Sequence, residues 1–176
     1  MKKKNPSGLN GGNIRRVALM AVLFALTVAL TFLEYLLPIP APVPGIRLGL
    51  SNIVVMYSLF FLRKRDALTL AVLKALFVFL TRGAMAGVLS ASGGLLSVCA
   101  MSVLLLVFSD KISYLMVSVA GAIFHNLGQM CVASLILGSA LWYYMPVLLL
   151  AGIIAGIATS LLLKATLPVF KRLNLK

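Results

Sequence analysis

The sequence predicts an all-α polytopic membrane protein with six transmembrane helices. Three observations carry that prediction. Hydrophobic residues make up 62% of the 176-residue chain and charged residues only 11%, with a mean hydropathy of +1.11, a balance foreign to water-soluble domains. The apolar residues fall into long runs of the kind that cross a bilayer core of ~30 Å as helices. The basic residues gather between those runs, as juxtamembrane anchors do. The net charge of +13 therefore points to a lipid bilayer rather than to nucleic acid.

Met1–Asn13 is polar, glycine-bearing and basic, with Lys2, Lys3 and Lys4, and reads as a disordered cytoplasmic tail. The first span covers roughly Ile14–Leu37. Its apolar run Val17–Leu37 is 21 residues long and no small-x-small site closes it, so it is an uncleaved span and not a signal peptide. Between Glu34 and Asn52 lie Pro38, Pro40, Pro42, Pro44 and Gly45, which exclude helix and inner strand and favour a stiff extended backbone. This stretch is either an ordinary connector or a lid over a site. The second span runs from about Leu48 to Leu62 and stops at Arg63-Lys64-Arg65-Asp66. The third, about Ala67–Thr81, contains Lys74, and Arg82-Gly83 marks a turn. From there to Gly94 the sequence is rich in small residues and fits no clear element. The fourth span ends near Phe108, the fifth covers about Ser113–Leu137 and the sixth about Pro146–Leu163. The expected division is a tail at 1–13, a six-helix membrane domain at 14–163 and a basic cytoplasmic tail at 164–176.

Orientation follows from counting charges. With the N-terminus inside, cytoplasmic segments hold Lys2, Lys3, Lys4, Arg15, Arg16, Arg63, Lys64, Arg65, Lys111, Lys164, Lys171, Arg172 and Lys176. Outer segments hold only Arg47 and Arg82. Thirteen against two places both termini in the cytoplasm of an inner-membrane, multi-pass protein, with the proline stretch outside.

Small residues recur every four positions at Ala21, Ala25 and Ala29, at Gly83 and Gly87, and at Gly152 and Gly156. Such stripes let helix backbones approach closely, within one chain or against a partner. Contact within the chain is the default reading.

Scarce polar residues at membrane depth mark the candidate site. At ~1.5 Å per residue, Lys74 lies roughly 12 Å beyond Asp66 and Arg82 a further ~12 Å outward. His125, Asn126 and Gln129 share the i, i+3 and i+4 spacings of one helix face. With Glu34, Arg47 and Asn52, these residues aim polar groups at the outer half of the membrane. A buried charge is costly in lipid, so Lys74 faces the protein interior or a water-filled cavity, where it serves a ligand or a structural partner. His125 alone would be an ordinary hydrogen-bonded core histidine; beside Asn126 and Gln129 it becomes a pocket candidate. Glu34 either touches substrate or pairs with Arg47 or Arg82. Arg47, Lys74 and Arg82 outweigh Glu34, so the expected pocket is cationic and suits a small anionic or amphiphilic substrate.

Catalytic motifs are missing. There is no phosphate loop, and one histidine with two distant cysteines, Cys99 and Cys131, builds no zinc or haem site. Asp66 and Asp110 are the only aspartates and cannot form a paired-aspartate magnesium site. The expectation is a non-enzyme without metal or cofactor.

Three segments carry a family resemblance: Pro44-Gly45-Ile46-Arg47-Leu48-Gly49-Leu50-Ser51-Asn52-Ile53, Ser92-Gly93-Gly94-Leu95-Leu96-Ser97 and Gly121-Ala122-Ile123-Phe124-His125-Asn126-Leu127-Gly128-Gln129. In that order they resemble the Gx transporter family, often labelled heptaprenyl diphosphate synthase component I, over nearly all of Ile14–Leu163. That family is similar to the substrate-binding S components of energy-coupling factor transporters. The resemblance implies an S-component-like bundle of six helices, an external first loop over an outward-facing pocket, and a first helix whose Ala-x-x-x-Ala stripe docks on a transmembrane coupling subunit served by ATPases. Ala21, Ala25 and Ala29 match that stripe. The synthase label sits poorly with two isolated aspartates and leaves, at most, a non-catalytic membrane partner of an isoprenoid- or quinone-related enzyme or redox complex. A solitary transporter is the third reading.

Overall fold

The computed structural model describes residues 11–36, 50–108 and 112–172. Six α-helices follow one another: α1 (Gly11–Leu36), α2 (Asn52–Phe61), α3 (Lys64–Arg82), α4 (Ala84–Phe108), α5 (Tyr114–Leu137) and α6 (Met145–Arg172). A 3-10 turn, Ser139–Tyr144, joins α5 to α6, and no strand occurs among the described residues. The all-α prediction therefore holds. The proline stretch with Arg47, both chain ends and Asp110 lie outside the described residues.

Local chemistry sets the helix ends. Asp66 accepts the backbone N–H of Arg63 at 3.3 Å, closing the turn between α2 and α3, and its acidity suits the first turn of a helix. Gly83, at φ +89°, is the single residue between α3 and α4, a conformation that side chains resist. Ser113 caps α5 by accepting from the Met116 N–H at 3.2 Å. Gly138, at φ +101°, ends α5.

Helices α3 to α6 pack as consecutive neighbours, α3 on α4, α4 on α5 and α5 on α6. Helix α2 touches α1, α3, α4 and α6, and Ile53–Leu59 is buried without interruption. The main core forms around it: Val54, Met56, Tyr57 and Leu59 meet Leu23, Leu70, Val98, Met101, Val117 and Leu163. Four helical stretches are long and apolar enough to cross a membrane: Ile14–Glu34, Ala84–Phe108, Tyr114–Leu137 and Ser139–Ala165. Helix α2 is different. Its 10 residues, Asn52–Phe61, extend only ~15 Å, half of a bilayer core, so the described part of the second apolar segment is a buried half-length helix. Helix α3 is 19 residues long but carries Lys74 and charged ends.

The stretch after Gly83 that fits no element in the sequence is the start of α4. Its glycines disfavour a helix in isolation, and tertiary packing overrides them. A Cβ at Gly87 would lie 2.5 Å from Phe79 Cβ, and one at Gly93 would lie 2.8 Å from the His125 carbonyl oxygen. On α6, a Cβ at Gly156 would reach within 2.5 Å of Val119 Cα. The glycine stripe of α6 is thus packing within the chain. Ala18, Ala21, Ala25 and Ala29 are exposed on α1, while Leu23, Thr27 and Thr31 turn inward. Here the internal-packing default fails.

Candidate functional site

The rise of a helix brings Lys74 and Asn52 to the same depth. Counted from the turn at Leu62–Arg63, each lies about ten residues, ~15 Å, along its helix. Lys74 is only 6% exposed, and its Nζ donates to Asn52 Oδ1 at 3.2 Å. An ammonium at this depth needs such a polar companion. His125 lies within electrostatic range of Lys74. His125 and Gln129 project from one face of α5 against α4, where Gly93 clears the space. A Cβ at Gly93 would fall 2.8 Å from Gln129 Cγ and 2.9 Å from His125 Nδ1. Both side chains are buried, and His125 Nδ1 and Gln129 Oε1 have no hydrogen-bond partner among the described residues.

Asn126 faces another neighbour. Its Nδ2 donates to the Leu148 carbonyl at 2.9 Å, joining α5 to α6 beside Gly152. The three polar residues of α5 therefore divide, two towards α4 and one towards α6.

Glu34 and Arg82 belong to a different level. Arg16 and Asp66, fifty residues apart in sequence, form an ion pair that includes Arg16 Nε donating to Asp66 Oδ2 at 3.2 Å. Helices α1 and α3 run in parallel from that clamp, and on the same offset Lys74 is level with Phe24. Glu34 is ten residues further outward, ~15 Å along the axis. At that outer end Thr31, Phe32, Phe77, Thr81 and Arg82 line an open groove of about 580 Å³, and Glu34 is buried close by in sequence. The structure thus groups Asn52, Lys74, His125 and Gln129 in one layer, sets Asn126 on its α6 side, and leaves Glu34 and Arg82 in a second, outer region.

Sequence reasoning missed the hydroxyls. Ser51, Ser58, Ser90, Ser97, Ser118, Thr159 and Ser160 are all buried. The seven-residue spacing of Ser90 and Ser97, around Gly93 and Gly94, was the available signal for an inward polar face on α4. Among the described residues, no group of three His, Cys, Asp or Glu side chains could hold a metal ion.

Apolar helices long enough to span, packed around a buried polar layer, define an integral membrane protein. The chain belongs to the heptaprenyl diphosphate synthase component I family, whose model matches residues 23–166, from the middle of α1 to near the end of α6. No curated protein and no solved structure gives a significant match.

Proposed function

We propose that the protein is the substrate-binding membrane subunit of a small-molecule uptake system, with a cationic pocket for an anionic or amphiphilic ligand. The observation that carries this reading is the buried Lys74–Asn52 pair at the N-terminal end of α2. A half-length helix that begins at mid-membrane aims the positive end of its dipole into the bundle. Together with the ammonium, that end favours a negative ligand group. Nearby, His125 Nδ1 and Gln129 Oε1 are buried polar atoms of the kind that water or a ligand normally satisfies. Glu34 and Arg82 are assigned to the outer approach to the pocket and Asn126 to its α6 wall, while Arg47 is kept as a substrate-binding residue on the sequence argument alone.

The chain carries no nucleotide-binding loop, so energy comes from separate ATPase and coupling subunits. The exposed alanine face of α1 suits close approach of a partner helix. Both termini are cytoplasmic in the inner membrane, on the charge count above. Of the three carboxylates in the chain, Asp66 is engaged by Arg16; the protein is read as a non-enzyme. The family's description as a synthase component favours a second reading, a non-catalytic membrane partner of an isoprenoid enzyme.

Native mass spectrometry of the gently purified protein separates the two. A retained small molecule whose mass disappears from the Lys74→Met protein supports the uptake subunit. A stoichiometric soluble enzyme with no small molecule overturns it in favour of the second reading.

A further inference from the structure

Between Asn52 and the Arg63 end of the bundle, four helices border a chamber of about 10 Å³ lined by Asn52, Met56, Ser97, Met101, Ser118, Gly121, Ala122 and Thr159. That volume is the room one water molecule needs, about one probe sphere, provided that two to four polar groups receive it. The hydrogen-bond directions of the lining are already assigned. Ser118 spends its hydroxyl hydrogen on the Gly156 carbonyl at 2.7 Å, and Thr159 spends its own on the Ala155 carbonyl at 2.7 Å. Each oxygen then has only lone pairs left to offer. Asn52 turns its Oδ1 to the Lys74 ammonium, which leaves its amide N–H groups as donors. Ser97 is 2% exposed and its Oγ has no hydrogen-bond partner among the described residues, so it has a hydrogen to give.

We infer that the chamber binds a single buried water, and that this water fixes the orientation of the Asn52 amide and so the seat of Lys74. The water accepts from Asn52 and Ser97 and donates to Ser118 and Thr159. Two donors and two acceptors match its full valence, and no neutral alternative of this size does so. A bare cation fits poorly, since the Asn52 amide N–H groups and the Ser97 hydroxyl are donors. Ser97, four residues inward of Gly93, thereby becomes a positioning residue for a lysine that it does not touch, and the hydrated junction ties α2 to α4, α5 and α6. The inference stands on the chamber alone and does not depend on any ligand.

The test uses full-length protein in lipid nanodiscs, labelled with nitrogen-15 at the lysine Nζ, with the Lys74 signal assigned by its loss in Lys74→Met. Ser97→Ala removes a donor to the water, frees the amide to turn over, and should displace the Lys74 ammonium signal and speed its proton exchange several-fold. Ser58→Ala deletes an equally buried, unpartnered hydroxyl that does not line the chamber, and should leave the signal in place. An unmoved signal in Ser97→Ala, or equal displacement in both variants, overturns the assignment. Should Ser97→Ala not fold, an experimental density map of the native protein decides: a solvent peak between Asn52, Ser97, Ser118 and Thr159 upholds the water, and an empty chamber at a resolution that shows other buried solvent rejects it.

Discussion

The crossing of α4 and α5 yields a stability prediction with its own internal control. A Cβ at Gly128 would meet the Ser92 carbonyl oxygen at 2.7 Å, Gly93 Cα at 3.0 Å and the Ser92 carbonyl carbon at 3.1 Å. All three are backbone atoms, which cannot swing aside as a side chain can. At Gly94, next to Gly93 on α4 but facing α3, the new atom would meet only Ala71 Cβ at 3.6 Å, an ordinary contact. Alanine is favoured over glycine in a helix by ~0.5–1 kcal/mol. Forcing an extra carbon into a packed interface costs about 1–3 kcal/mol. Gly94→Ala should therefore be neutral or slightly stabilising, and Gly128→Ala should lose about 1–2 kcal/mol net. For a chain of this size each kcal/mol moves Tm by roughly 2–4 °C, so a gap of about 1–3 kcal/mol between the variants should separate their melting temperatures by ~2–12 °C. The assay is thermal melting followed by circular dichroism, both variants in the same detergent. Equal melting temperatures, or a Gly128→Ala protein more stable than Gly94→Ala, would refute the close backbone crossing.

Four further expectations follow from the same geometry. Lys74→Met should stay folded yet lose whatever small molecule the native protein retains; truncating one partner of a desolvated charge pair costs about 2–5 kcal/mol, roughly thirty- to several-thousand-fold in affinity, and undiminished retention would remove Lys74 from the pocket. Ala25→Leu alters an exposed position, so Tm should hold while capture of a coupling subunit falls; an intact complex would count against docking through α1. In a double-mutant cycle, Arg16→Gln and Asp66→Asn should each lower Tm, and the combination should lower it by less than their sum, because they remove one shared ion pair. In a background free of Cys99 and Cys131, an impermeant thiol reagent should label Ser139→Cys from outside and miss Ser113→Cys; the reverse pattern would invert the topology.

The sequence was most informative where physics leaves few choices. Fixed helical rise put Lys74 far from either end of its helix, and the structure buries it there beside Asn52. Periodicity could not measure α2, because a buried half-helix is as apolar as a spanning one, and its shortness emerges only from the packing of four neighbours around it. Ala84–Gly94 defied assignment because glycine and serine weaken helix propensity, while their purpose, close approach to Phe79, His125 and Gln129, lies in distant sequence. His125, Asn126 and Gln129 together span an arc of about 100° on a helix of 3.6 residues per turn. That arc is wide enough to serve two neighbours, and spacing alone could not say that Asn126 would turn to α6. The alanine stripe of α1 was visible at once, but only the packing of Leu23 and Thr27 decided which way it faces.

The half-length of α2 also bears on how the chain enters the bilayer during synthesis. Ten residues are too few to partition as a stable span, and α3 alone would carry an ammonium into lipid. Joined by the tight turn at Leu62–Arg63, the two can enter as one hairpin in which Asn52 already solvates Lys74. The Lys74–Asn52 contact thus gives the chain's most polar helix a polar counterpart within the hairpin itself, which the later helices then enclose.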